Sequence, residues 1–364
     1  MGQERFEADR SDSMVGVGTF GEIMLRLKAP GHERLFQSPR LEATFGGGEA
    51  NVAVSLVRLG MDASFVTVLP AGPVADAALS SLRYHGVDVS GAQRSASGRT
   101  GIYFLETGSD QRPSGVVYDR AGSAMSLAGP GDIDWRAVLG GASWFHCTGI
   151  TPALSQSAAD LALEGVRAAR SMGLAVSIDL NYRKKLWNYG VPAREMMTPL
   201  VREATLLIAN EEDIQLALGL GAVPEHDRNG ASGGASRGGS RVADYRALAD
   251  MTRTAFPNLE RVAVTMRESR SADRNGWSAV LSGKTFMQSK YYELDDIVDR
   301  VGGGDSFAAG LIFGLQTYDD EQTALEFAVA ASALKHSIPG DYNLVTRAEV
   351  EALMRGGSGG RVSR

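Results

Sequence analysis

The sequence predicts an α/β protein built on a central, mostly parallel sheet flanked by helices. Short apolar runs (63–70, 174–180, 204–210 and 261–265) alternate with helical patterns of roughly 10–15 residues, as strands joined by helical crossovers do. Leu174 to Leu180 reads as a strand buried on both faces. Two glycine triplets, Gly46-Gly47-Gly48 and Gly302-Gly303-Gly304, each stand just ahead of a helical pattern.

The 364 residues suffice for one large core, and 43% hydrophobic with 22% charged residues describes an ordinary globular chain. The formal net charge of −6 argues against a general nucleic-acid binder. Anionic small molecules remain open as ligands, because they need only a local cluster of Arg and Lys. A single cysteine, Cys147, excludes an intramolecular disulfide and reads as a small buried residue of a reducing compartment. No apolar run approaches the ~18 residues of a membrane span. The polar start of the chain does not read as a signal peptide, and a cytoplasmic location is expected.

Residues 1–14 are expected to form a disordered extension ahead of one domain at 15–355, with a disordered tail at 356–364. Val15 to Leu27 alternates and reads as a strand holding Gly16, Gly18 and Gly21. That spacing matches the dinucleotide fingerprint, but Glu22 to Leu27 alternates like more strand, where the fingerprint requires a helix. Residues 49–59 place Val52, Leu56 and Leu59 on one helical face, with Gly60 as the cap. Asn51, in the first turn, offers a donor and an acceptor. Residues 72–86 read as a helix, and 99–105 with 114–118 as a β-hairpin. His146 in Trp144-Phe145-His146-Cys147 reads as a core or pocket-wall histidine, since no second ligand stands at metal spacing.

Ligand groups in open α/β sheets collect just past the C-terminal ends of strands. Asp179, Asn181 and Arg183 fall there after one strand, and Asn210, Glu211, Glu212 and Asp213 after the next. Residues 221–241 are rich in Gly and Ser and are expected to form a flexible surface loop. Beyond them the pattern gives a helix over 245–256, a strand over 261–265 and a hairpin around Gly283. The second glycine triplet ends in Asp305 and leads into Phe307, Leu311, Ile312 and Leu315. Glycines let amides approach a ligand, and a helix start favours anions. A carboxylate beside such a hole suits deprotonation of a hydroxyl that attacks a phosphoryl group. A simple N-capping Asp is the other reading of the same residues.

The segment Asp299-Arg300-Val301-Gly302-Gly303-Gly304-Asp305-Ser306-Phe307 resembles the C-terminal signature of the ribokinase-like (PfkB) carbohydrate kinases. There Gly303 stands where the family usually has Ala, and Arg300-Val301 where it has Thr-x. Gly46-Gly47-Gly48 with Asn51, opening a helix that ends in Leu59-Gly60, resembles the family's N-terminal sugar-binding signature. Tyr118-Asp119-Arg120 with Ser123-Ala124, Asp179-Leu180-Asn181-Tyr182-Arg183 with Leu186-Trp187, and Trp144 to Leu154 resemble the 2-keto-3-deoxygluconate kinases. The resemblance covers about residues 15–355 and implies a ribokinase-like fold with a small β-sheet lid from strands within about 32–45 and 99–120.

It further implies an ATP- and Mg²⁺-dependent kinase. Asp305 would be the catalytic base, with Gly302, Gly303 and Gly304 as the anion hole. Gly46, Gly47, Gly48, Asn51, Tyr103 and Asn181 would bind the sugar. Arg120 and Arg183, converging from separate segments, would grip a carboxylate, so a sugar acid is favoured. Asn210, Thr265, Arg267, Gly302, Gly304, Ala333, His336 and Asn343 would bind the nucleotide, and Asn210 with Asp213 the metal. A homodimer or higher homo-oligomer paired through the lid is expected. A neutral-ketose kinase, a catalytically silent sugar-acid sensor and a nicotinamide oxidoreductase are the competing readings.

Overall fold

The structure, a computed structural model, describes residues 16–221 and 238–356. The expected extension 1–14, residues 222–237 of the expected Gly/Ser loop and residues 357–364 of the tail lie outside the described residues.

In chain order the strands begin with β1 Gly16–Phe20, β2 Met24–Lys28, β3 Glu42–Gly46, β4 Ala63–Val66 and β5 Val68–Pro70. Next come β6 Gln93–Ser95, β7 Ile102–Glu106, β8 Gly115–Asp119, β9 Ala142–Thr148 and β10 Ala175–Asp179. The last are β11 Leu206–Asn210, β12 Arg261–Ser269, β13 Asn275–Ser282, β14 Phe286–Gln288 and β15 Tyr292–Leu294. The helices are α1 Gly48–Leu59, α2 Pro73–Tyr84, α3 Ala124–Leu127, α4 Trp135–Val138, α5 Gln156–Ser171 and α6 Ala193–Val201. They continue with α7 Glu211–Leu218, α8 Gly238–Ala255, α9 Gly303–Thr317, α10 Glu321–Lys335 and α11 Arg347–Met354.

The main sheet runs β14-β13-β12-β11-β10-β9-β1-β4, and β15 also pairs with β13. From β4 to β12 every pairing is parallel, and only the far edge turns antiparallel. Helices cover both faces, as a parallel sheet requires. One core packs α1, α2, α9, α10 and α11 against the sheet, and the other packs α5 to α8. His146 and Cys147 are fully buried in β9; burial lowers the His146 pKa to about 3 and pushes the Cys147 thiol up. His146 meets the hydroxyl of Ser177 at 2.8 Å, as a core residue rather than a metal ligand. Among the described residues no helix is long and apolar enough to cross a membrane.

A second sheet, β3-β2-β7-β8, forms the lid. The run 15–27 is therefore two strands in two sheets: β1 belongs to the main sheet, and the chain turns at Gly21 to Ile23 before β2 joins the lid. Gly21 leads into a strand and not a helix, so the dinucleotide motif lacks its context. Among the described residues β8 is a free edge of the lid, with Val116, Val117 and Tyr118 exposed.

α9, which starts at the second glycine triplet, lies close against α10. A Cβ on Gly310 would stand 2.8 Å from Ala328 Cα, and one on Gly314 would stand 2.7 Å from Ala324 Cα. Gly310→Ala should therefore destabilise by about 1–3 kcal/mol despite the better helix propensity of Ala, because backbone must move. Denaturant unfolding checks this, and a variant as stable as the parent refutes the close packing.

Candidate active site

A cavity of about 1840 Å³ lies between the lid and the C-terminal ends of the parallel strands. Single small-ligand pockets run to roughly 1,000 Å³, so there is room for two ligands side by side. Gly47, Gly48, Asn51, Tyr103, Arg120, Asn181, Arg183, Asn210, Asp213, Thr265, Arg267 and the segment Gly302 to Asp305 all line it. Residues almost 260 positions apart in sequence thus meet in one chamber, as the motifs predict.

The three glycines of 302–304 do different things. Gly302 has φ 84°, left-handed backbone that favours glycine, and a Cβ there would stand 2.1 Å from the carbonyl of Asp341. A Cβ on Gly303 would stand 2.8 Å from Cε1 of His336. The imidazole occupies the space an alanine methyl would need there. Gly304 has nothing within 4 Å of where its Cβ would be. The first α-helical bond runs from the Ser306 amide to the Gly302 carbonyl (2.9 Å); ahead of it the Gly303 amide makes only a long bond to the Arg300 carbonyl (3.4 Å), and the amides of Gly304 and Asp305 are, among the described residues, the unpaired donors of a helix start.

Asp305 sits in that first turn, 9% exposed, and its Oδ2 accepts from Asn51 Nδ2 at 2.7 Å. Burial raises its pKa to about 6, with the Asn51 hydrogen bond opposing. Asn51 Oδ1 accepts the Gly47 amide at 3.3 Å. Asn51 therefore tethers the carboxylate and the first glycine loop, a role its expected part in sugar binding did not include. Gly46 is absent from the cavity wall; it packs on Asp341, whose Oδ2 would be 2.1 Å from a Cβ there.

Arg120 is buried and engaged. Its Nε donates to Glu22 Oε2 at 2.8 Å and a second guanidinium N–H bonds the same oxygen. The expected two-arginine clamp is thus altered, because Glu22 already balances Arg120. Tyr103 is similarly taken, donating to Asp341 Oδ2 at 2.6 Å. Arg183 differs: it is exposed, donates to the Tyr182 carbonyl at 2.9 Å and, among the described residues, pairs with no carboxylate. Asn181 sits at φ 39°, and its buried Oδ1 has no partner among the described residues.

Asp179 and Asp213 approach the same region. Burial raises both, Asp179 well above the usual carboxylate range and Asp213 to about 6. Asn210 caps α7, its side-chain oxygen accepting the Asp213 amide at 2.8 Å. Among the described residues no three ligating side chains converge on a metal. Of the residues expected to bind the nucleotide, Thr265 and Arg267 line the cavity beside Leu216, Tyr245, Trp277 and Ile297. Ala333, His336 and Asn343 do not. Asn343 is buried between the carbonyl of Ala331 (3.4 Å) and the amide of Val345 (3.2 Å), and His336 Nδ1 donates to the Ser332 carbonyl (2.7 Å) under Gly303.

The guanidinium that holds these parts together is missing from the residues that the motifs single out. Arg26 of β2 bonds both Asp299 (2.5 Å) and Asp341, and all three are buried. The signal was a charged residue on the same strand face as buried Met24.

Known proteins of the same geometry confirm the family. Residues 16–231 match the pfkB family carbohydrate kinases. A 2-dehydro-3-deoxygalactonokinase of Haloferax volcanii is 34% identical over 342 residues, spanning 94% of this chain and 97% of that one. The crystal structure of a 2-dehydro-3-deoxygluconokinase from Thermotoga maritima superposes with TM-score 0.85 at 44% identity, covering 94% of this chain and all of that one. A putative 2-keto-3-deoxygluconate kinase from Enterococcus faecalis superposes with TM-score 0.83 at 27% identity, covering 96% and 99% of the two chains. The chain belongs to the pfkB family of carbohydrate kinases, with the ribokinase-like fold and its separate small sheet. It is a sugar kinase similar to the 2-dehydro-3-deoxy-gluconate and -galactonate kinases.

The two arginines should behave differently on removal. Arg120→Ala leaves Glu22 buried and unpaired and should cost about 3–5 kcal/mol of stability. Arg183→Ala, at an exposed site, should stay within about 0.5 kcal/mol of the parent. Thermal and denaturant unfolding check both, and an Arg120→Ala variant of parental stability would refute the buried pair.

Proposed function

We propose that this kinase transfers the γ-phosphoryl group of ATP to a hydroxyl of a 2-keto-3-deoxy sugar acid, most directly 2-keto-3-deoxygluconate to its 6-phosphate. The observation that carries the chemistry is Asp305, tethered by Asn51 in the first turn of α9, in a chamber large enough for two ligands. Asp305 takes the hydroxyl proton as the sugar oxygen bonds to phosphorus and the bond to the departing ADP oxygen breaks. The amides at Gly302 to Gly304 would take up charge on the transferring oxygens, that of Gly303 by giving up its long bond to the Arg300 carbonyl (3.4 Å). Arg267, exposed at the mouth, and Thr265 suit the nucleotide side.

Mg²⁺ bound to the phosphates would neutralise their charge. Asp213 and Glu212 fit such an ion through its waters, since Mg²⁺ keeps much of its hydration and takes few carboxylates.

Arg183 supports the acidic substrate: an arginine on the cavity wall with no carboxylate partner among the described residues is a ready partner for one. Asn181 Oδ1 is a ready acceptor for a sugar hydroxyl. Arg120 acts through Glu22, as one engaged pair. That engagement is what a neutral-ketose reading would rest on, since it leaves one arginine where two were expected. The free edge β8 supports pairing of lids between two copies.

Two measurements decide. ADP release with Mg-ATP should be strong with 2-keto-3-deoxygluconate or 2-keto-3-deoxygalactonate and weak with gluconate, fructose and ribose. Arg183→Ala should erase most of that preference, and fructose or ribose as the better substrate would discard the acid reading. Asp305→Asn should lower kcat by about 10²-fold or more while substrates still bind. In the parent, Asp305 must be ionised to act, so kcat/KM should be present above its pKa of about 6 and lost as pH falls through it. An acid limb near the ordinary carboxylate value of about 4, or an active Asp305→Asn, would refute the base.

A further inference from the structure

The lid is fastened at both ends to the short segment that leads into the anion hole. At its root, Arg26 of β2 bonds Asp299 and Asp341. Asp299 in turn accepts the amides of Val301 (3.1 Å) and Gly340 (3.1 Å). At its tip, in the β7–β8 loop, the Asp110 carbonyl accepts the Ala272 amide at 2.7 Å. The Asp110 amide donates to the Asp273 carboxylate at 3.1 Å. The turn that receives the tip is gripped from the other side by Arg300. Its Nε donates to the Ala272 carbonyl at 2.6 Å, and a second guanidinium nitrogen reaches the Ser271 carbonyl and Asn275 Oδ1 (3.1 Å). Asp299 and Arg300 are consecutive, and the glycine triplet begins just beyond them.

The tip is braced by ion pairs and a hydrogen bond of its own. Glu106 holds Arg34 (2.8 Å) and Arg112 (2.7 Å), and His32 meets the Gly108 carbonyl at 2.7 Å. Asp110 takes a left-handed φ of 49°, which presents both its amide and its carbonyl to the opposing turn. The two fastenings differ in strength. The root is a buried ion network that cannot be parted without stranding charges. The tip is a few hydrogen bonds at an exposed surface, which water can replace.

We propose that the root is the pivot and the tip the latch of the lid, and that Asp273 and Arg300 are positioning residues that complete the anion hole only when the latch is shut. This rests on the reading of Gly302 to Gly304 as the phosphoryl cradle. Opening at the tip frees the Ser271 to Asp273 turn and removes the backing of Arg300, two residues from Gly302. The cradle is then set for transfer only while the lid covers a bound sugar, which disfavours transfer to water.

The test uses Asp273→Ala and Arg300→Lys, with the sugar that the parent turns over. Three quantities are read: kcat against KM for each substrate, ATP hydrolysis without sugar, and binding of a non-hydrolysable ATP analogue with and without the sugar. Asp273→Ala should lose on the order of tenfold in kcat with nearly unchanged KM for ATP. The mutual strengthening of sugar and nucleotide binding should fall towards none. Arg300→Lys keeps the charge but lacks the fork, and should show the same defect. Parental kcat and coupling in Asp273→Ala would overturn the latch. So would a lowered melting temperature with kcat per folded molecule and coupling unchanged, since that marks a merely structural contact. An active Asp305→Asn beside a defective Asp273→Ala would fault the base and leave the latch standing.

Discussion

Everything around the active site leans on one buried guanidinium. Arg26 comes from the lid, Asp299 from the approach to α9 and Asp341 from the loop after α10, and the three meet with almost no exposure to water. Burying such charges is costly unless each is paired and hydrogen-bonded. Here the remaining acceptor positions are filled by Tyr103 and by the amides of Val301 and Gly340. The cost of breaking any one partner ties three distant parts of the chain into a single arrangement. Lys335, itself fully buried and donating to the Ile338 carbonyl at 3.0 Å, adds a second cation beside the two acids.

The consequence for chemistry is that the base and the anion hole are set by the same packing. Gly302 turns against the Asp341 backbone, Gly303 against His336, and Asp305 is drawn to Asn51 across the chamber. The two glycine motifs, from opposite ends of the chain, therefore touch through one hydrogen bond. Burial that makes Asp305 a stronger base also gathers Asp179 and Asp213 nearby, each raised for the same reason. A bound cation and the arginines of the cavity wall would offset that crowding of acids.

Much of the fold was legible in local pattern. The helix at 48–59 with its left-handed Gly60 cap, the buried strand at 175–179 and the helix opening at Gly303 all stand where periodicity and glycine placement put them. The run 15–27 reads as one strand and is two, because alternation cannot report which sheet a strand joins. The site was legible as a set of residues and not as a set of partners. Asn51, Tyr103 and Arg120 line the chamber as their motifs imply, yet their polar atoms are spent on Asp305, Asp341 and Glu22. Resemblance puts His336 and Asn343 beside the nucleotide, and packing turns them to the backbone instead.

By itself the sequence determined the α/β class, the alternation of strands with helices, the two glycine-led helix starts and the acid that ends the second. Those come from periodicity, from backbone freedom at glycine and from the chemistry of a few side chains, all of them short-range. Only the tertiary structure decided which arginine has no carboxylate partner among the described residues, which carboxylate balances which cation and how the lid is joined to the anion hole. Such choices rest on contacts between residues up to 315 positions apart. Desolvation and pairing of charge act over a few ångströms of space, and distance along a chain does not report them.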